Sequence, residues 1–190
     1  MAIDFQPFPK IPRLYREVVI TEKIDGTNAC VIVDEDGRVR AGSKNREIFP
    51  ERLAGKGADN YGFAEWVSQN EEELRGLGAG VHHGEWYGRG IQRGYGLDHR
   101  RFALFNVSRF YHAGARPTCC GVVPMIYGKA VPLGGASDYV RNALDDLREF
   151  GSQAVKGWER PEGIIIYHRQ SKQLFKVTLD GDGHKEQRNA

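Results

Sequence analysis

Apolar residues along the chain follow two rhythms. Alternating or short continuous apolar runs predict strands at 17–21, 29–33, 38–41, 81–86, 101–107, 163–167 and 174–179. The second and third flank Asp34-Glu-Asp-Gly37, a strong hairpin-turn signal, and the polar stretch His168-Arg-Gln-Ser-Lys172 predicts a turn between the last two. Helical spacing occurs in two places. One covers 63–74. In the other, Val140, Leu144, Leu147 and Phe150 recur three or four residues apart and so share one face, with Ser137 suited to cap the start and Gly151 to end it. Strands predominate over a few helices, and the expected fold class is α+β.

Composition adds bounds. With 190 residues the chain is long enough for one compact domain with its own core, and a single domain over 1–190 is expected. Charged residues make up 27% and hydrophobic ones 40%, and no stretch approaches the roughly 18 apolar residues of a membrane span. The N-terminus carries Asp4, Pro7 and Pro9 where a signal peptide would need a basic start and an apolar run, so no export and no membrane contact are expected. Cys30, Cys119 and Cys120 are odd in number and lack metal-site spacing, which fits a reducing cytoplasm. A net charge of +2 leaves any affinity for nucleic acid to a local basic patch. The 24 glycines cluster at 76–96 and 121–135, marking loops or close approaches.

Candidate chemistry begins at Thr21-Glu-Lys-Ile-Asp-Gly-Thr-Asn28, where a lysine ends a strand just before a glycine turn. A lysine held there can attack phosphorus only as the neutral amine, which requires neighbouring cations or desolvation to lower its pKa from about 10.4. Taken alone, Asp25-Gly26 is also an ordinary hairpin turn.

Five further segments follow in order: Ser43-Lys-Asn-Arg46, Gly84-Glu-Trp-Tyr-Gly88, Arg101-Phe-Ala-Leu-Phe-Asn106, Pro161-Glu-Gly-Ile-Ile-Ile166 and Leu174-Phe-Lys-Val177. With Lys23-Ile-Asp-Gly-Thr-Asn28 they resemble the ordered motifs of covalent nucleotidyltransferases. Asn28, where DNA ligases and capping enzymes usually have arginine, resembles the ATP-dependent RNA ligases, and residues 23–28 and 84–92 are most similar to the class of phage ligase that seals nicks in duplex RNA.

The resemblance implies a nucleotidyltransferase (adenylyltransferase) domain of mostly antiparallel sheets with flanking helices, an ATP-grasp-like ligase core. It implies Lys23 as the residue adenylylated by ATP with Mg²⁺ (or Mn²⁺), and nucleotide contacts at Glu22, Lys23, Ile24, Asn28, Arg46, Glu85, Phe105, Glu162 and Lys176. Glu85 would hold a ribose hydroxyl or the metal, Glu162 the metal, Phe105 the purine, Arg46 ribose or phosphate, and Lys176 the phosphates. Phe102 is left to the core. Composition does not separate ATP from GTP. The implied substrates are RNA ends, a 5′-phosphate and a 3′-hydroxyl. The loop Gly88-Arg-Gly-Ile-Gln-Arg-Gly-Tyr-Gly96 is a candidate phosphate-backbone contact, whereas Glu71-Glu-Glu73 is expected to be a solvated helix face and the histidines to bind no metal.

Two departures from the family pattern matter. The closing strand of the family carries two alternating lysines, but Thr178 follows Lys176, leaving Lys172 or Lys185 to supply the second charge. Fourteen residues follow Lys176, so polynucleotide recognition is expected to use this domain or an accessory RNA-binding partner. The alternatives are a minimal DNA ligase and a catalytically impaired module that binds nucleic-acid ends. Oligomeric state is left open.

Overall fold

The computed structural model describes residues 3–13, 16–50, 59–132 and 136–180. Among them, β1 (Glu17–Lys23), β8 (Met125–Pro132), β9 (Gly163–His168) and β10 (Gln173–Thr178) form one antiparallel sheet in the order β10-β9-β1-β8. A second sheet holds β2 (Thr27–Val33), β3 (Val39–Ser43), β4 (Glu47–Ile48), β5 (Gly80–Gly88), β6 (Arg100–Leu104) and β7 (Cys120–Val122), in the order β4-β3-β2-β5-β6-β7. Only its β6–β7 pair is parallel. The chain passes from the first sheet to the second through Ile24, Asp25 and Gly26.

Each sheet has one face covered by a helix. Strand alternation puts Val18, Ile20, Ile164 and Ile166 on one side of the first sheet, where they pack with Ala143, Leu144 and Leu147 of α4 (Ala136–Phe150). Burying each of the largest of these contributes about 1.5–3 kcal/mol. Gly151, at a φ of +76°, ends the helix and returns its N–H to the Leu147 carbonyl. Phe150, expected on the apolar face, is exposed at the last turn, and the Ser137 cap lies outside the described side chains.

The second sheet sets Ala29, Val31, Ala41, Trp86, Phe102 and Leu104 against Phe63, Ala64 and Val67 of α1 (Phe63–Gln69). Phe102 lies 5.0 Å from Phe63, ring centre to ring centre, so it belongs to this core as expected. Its ring is also why residue 84 must be glycine: a Cβ there would lie 2.6 Å from Phe102 Cε2 and 2.5 Å from the Ala103 carbonyl oxygen. The turn at Asp34–Gly37 closes as its sequence implies, with the Gly37 N–H donating to the Asp34 carbonyl at 2.9 Å.

Besides β8, which the sequence pattern did not predict, two elements and one exposed face differ from the sequence expectation. The helix over 63–74 breaks at Asn70 into α1 and α2 (Glu71–Leu74), because Asn70 leaves helical geometry and its side-chain amide donates to the Trp66 carbonyl at 2.7 Å. The strand over 101–107 stops at Leu104. Asn106 caps α3 (Val107–Phe110), accepting from the Arg109 N–H at 3.2 Å, so the last three residues leave the sheet. The Glu71–Glu73 face is not wholly solvated: Glu73 accepts from the Thr118 hydroxyl at 2.6 Å and from the Cys119 N–H, which holds its carboxyl below its usual range.

Candidate active site

The sheet faces not covered by helices meet across a cleft of about 870 Å³. Val19, Thr21, Lys23, Ile165, Tyr167 and Leu174 line it from the first sheet. Asn28, Val81, His83 and Glu85 line it from the second, and Phe105 with residues 106–108 follows beyond the end of β6.

Lys23 ends β1, and its Nζ donates to Glu162 Oε2. Both side chains are mostly enclosed, at 23% and 12% exposure, which gives this pair more weight than a surface ion pair. Glu85 stands on β5 directly opposite Asn28 and accepts the Gly26 N–H at 3.1 Å. A Cβ at residue 26 would lie 2.4 Å from the Trp86 carbonyl oxygen, so glycine lets the lysine turn press against β5. Burial pushes the Glu85 carboxyl up to about 7, with the charges of Glu162 and Asp25 acting in the same direction and Lys23 and the Gly26 N–H against it. Two carboxylates thus share an enclosed site with one ammonium. Their neighbourhood carries a surplus of negative charge, the environment that a hard divalent cation stabilises.

Phe105 is 38% exposed and lines the cleft, while its N–H is anchored to the His83 carbonyl at 2.9 Å. Ile24 is buried behind the lysine, in the cluster with Tyr87, Tyr95 and Val107 that joins the sheets. Lys176 is exposed on β10 opposite Ile165 and therefore shares the cleft-facing side of that sheet. Its Cα lies two strands, or about 10 Å, across the sheet from β1.

Of the other sequence-predicted residues, Glu22 borders the cleft without sending its carboxylate into it, and the rest fall elsewhere. Glu22 alternates with Lys23, and its side chain leaves the other face of β1, where it is only 1% exposed. It accepts from the Ser152 hydroxyl at 2.6 Å and from the N–H groups of Gln153 and Ala154 at 2.8 and 2.9 Å. Only its backbone is available to a nucleotide. Burial raises the Glu22 carboxyl above its usual range, opposed by those three hydrogen bonds. Arg46 is exposed at the turn between β3 and β4, outside the cleft lining, and its carbonyl accepts from the Ser43 N–H. Lys172 stands in the β9–β10 turn, six residues from Thr178 and so roughly 20 Å along the strand from the row of Lys23. It does not supply a second cation beside the nucleophile, and Lys185 lies outside the described residues.

The glycine-rich loop at 88–96 is packed and ordered by side chains turned inward. Ile91 and Tyr95 are fully buried, the Tyr95 hydroxyl accepts the Asp25 N–H at 2.8 Å, and Arg93 pairs with Asp25. Arg93 was legible only as a basic loop residue, since its partners are far away in the sequence. His82 and His83 point to opposite faces of β5, as adjacent strand residues must; burial lowers the pKa of His82, whose Nε2 lies 2.8 Å from the Gly78 carbonyl oxygen.

The fold is similar to that of solved RNA ligase structures. A lysine-to-alanine mutant of the Naegleria gruberi RNA ligase, with ATP and Mn, superposes with a TM-score of 0.59 at 17% identity, over 90% of this chain and 51% of that one. The same ligase with PPi gives 0.56 at 17% identity over 90% and 51%, and a lysine-to-methionine mutant with AMP and Mn gives 0.56 at 16% over 90% and 52%. The chain spans about half the length of these structures. No curated protein sequence matches it. The RNA ligase family model matches residues 16–178, and the chain belongs to the RNA ligase family.

Proposed function

We propose that the protein is an ATP-dependent RNA ligase that works through a lysyl-AMP intermediate on Lys23. The observation that carries this reading is the enclosed Lys23–Glu162 pair at a cleft that also holds Glu85, Asn28 and Phe105. The family match supports it, as do the ATP, AMP and PPi described for the Naegleria gruberi enzyme.

The Lys23 ammonium first gives its proton to solvent, a loss that its pairing with Glu162 opposes while the pair lasts. The neutral amine attacks the α-phosphorus of ATP in line; the N–P bond forms, the bond to the β-phosphate oxygen breaks, and pyrophosphate leaves. Phe105 stacks on the purine, Asn28 serves the ribose and phosphates, and Lys176 offsets charge growing on the phosphates. Glu85 and Glu162 would hold Mg²⁺ or Mn²⁺, which supplies charge neutralisation at phosphate oxygens. AMP then passes to an RNA 5′-phosphate, and a 3′-hydroxyl displaces it to seal the strand. Asn28 in the cleft favours RNA over DNA ends.

No helix among the described residues is long and apolar enough to cross a membrane. Free thiols at Cys30, Cys119 and Cys120 fit a cytoplasmic enzyme that repairs broken RNA, alone or with an accessory RNA-binding partner.

Intact mass after incubation with ATP and Mg²⁺ tests the reading. One added AMP, mapped to Lys23 and lost in Lys23→Ala, is expected. Covalent AMP surviving on Lys23→Ala sinks the assignment, and a folded wild type that binds ATP without an adduct turns the reading to an end-binding module.

A further inference from the structure

The guanidinium of Arg93 touches three segments, two of which adjoin Lys23 and Glu162. Its Nε donates to Asp25 Oδ2 at 3.0 Å, two residues beyond the nucleophile. Its Nη1 donates to the carbonyls of Arg160 and Pro161 at 3.2 Å each, immediately before Glu162. Its Nη2 donates to Asp180 Oδ2 at 2.7 Å, just past β10. We propose that Arg93 is a positioning residue for lysine adenylylation, fixing the lysine turn against the Glu162 segment and keeping Asp25 from competing for the Lys23 ammonium. This rests on the ligase reading above.

Glu162 precedes β9; its carbonyl accepts the Leu179 N–H at 2.9 Å on the β10 side, but no ladder pairing joins it to the lysine turn on the β1 side. Arg93 links the lysine turn, at Asp25, to the two residues before Glu162. Asp25, two residues from Lys23, is the other carboxylate on the same turn; with its charge met by Arg93, Lys23 remains paired to Glu162. The loop is built to deliver this side chain: Gln92 and Gly94 flank it at φ of +45° and +67°, and buried Ile91 and Tyr95 anchor the two sides. The site calls for arginine in particular. Its donors form a planar fork that spans two carboxylates and two carbonyls, whereas a lysine ammonium offers one point of charge.

The test is single-turnover formation of lysyl-AMP over a range of ATP concentrations, in the full chain. Arg93→Gln is expected to lower the maximal rate 10- to 100-fold with the apparent KM for ATP changed less than threefold. Arg93→Lys is expected to restore less than a tenth of the lost rate, and Arg141→Gln, an exposed change on α4, to leave it unchanged. In a double-mutant cycle, Asp25→Asn with Arg93→Gln is expected to be no slower than Arg93→Gln alone. A wild type that forms no adduct overturns the ligase reading and this one with it. A wild type that forms adduct beside an Arg93→Gln protein of equal rate overturns only the role of Arg93, as does a variant in which rate, ATP affinity and thermal midpoint fall together.

Discussion

Glu22 and Lys23 are adjacent in the chain, yet their side chains serve opposite faces of β1. Lys23 enters the cleft and meets Glu162, while Glu22 is buried beneath the sheet and gathers Ser152, Gln153 and Ala154.

Removing the Glu22 carboxylate therefore acts on stability. Glu22→Ala strips the acceptor from three donors around a buried position, and leaving buried donors unmet costs about 1–3 kcal/mol each. A loss of about 3 kcal/mol in urea unfolding is expected, with lysyl-AMP still forming in the folded fraction at saturating ATP. A variant of full stability that cannot be adenylylated would reverse this assignment.

The two phenylalanines of the 101–106 segment should separate cleanly. Phe102→Ala empties a core position and is expected to cost about 3–5 kcal/mol of stability. Phe105→Ala should leave stability nearly unchanged and raise the KM for ATP, since stacking on a base is worth about 1–3 kcal/mol. Unaltered ATP affinity in Phe105→Ala would remove Phe105 from the nucleotide site.

Glu85 sets a pH dependence. Its folded pKa of about 7 lies above the ordinary 4.5, so the folded state holds its proton more tightly than the unfolded one. The associated stability is present below pH 4.5 and is lost as pH rises to about 7. Without metal or nucleotide, wild type should lose on the order of 3 kcal/mol relative to Glu85→Gln across that window. Parallel stability curves for the two proteins would show that the carboxyl is not held protonated.

Lys176 and Lys172 stand at different distances from the chemistry. Lys176→Ala should slow lysyl-AMP formation roughly a hundredfold, the scale of one lost charge-stabilising donor. Lys172→Ala should leave that rate unchanged. Single-turnover rates decide both, and a slow Lys172→Ala protein would mean that the turn reaches the phosphates.

What could be read from the sequence was largely local. The 34–37 hairpin, α4 and the closing strands follow from turn residues and periodicity, and the motif order brought Lys23, Glu85, Asn28, Phe105 and Glu162 to one site. The orientation of Glu22 was also available, because a strand that sends Lys23 to one face sends its neighbour to the other. β8 was missed: Gly128 and Pro132 interrupt its pattern, and its pairing with β1 spans about a hundred residues. The partners of Arg93 were hidden for the same reason, as no local pattern links it to Asp25, Pro161 or Asp180.

Ile24, Asp25 and Gly26 form the whole passage from β1 in one sheet to β2 in the other, so the interval from Lys23 to Thr27 is a measured length of chain as well as a motif. Chemical variety at Ile24 is tolerable if the side chain stays apolar, but the count is not. One inserted residue would push the nucleophile out of step with Glu85 while leaving the hydrophobic interior of either sheet untouched, producing a well-folded protein whose two half-sites no longer face each other.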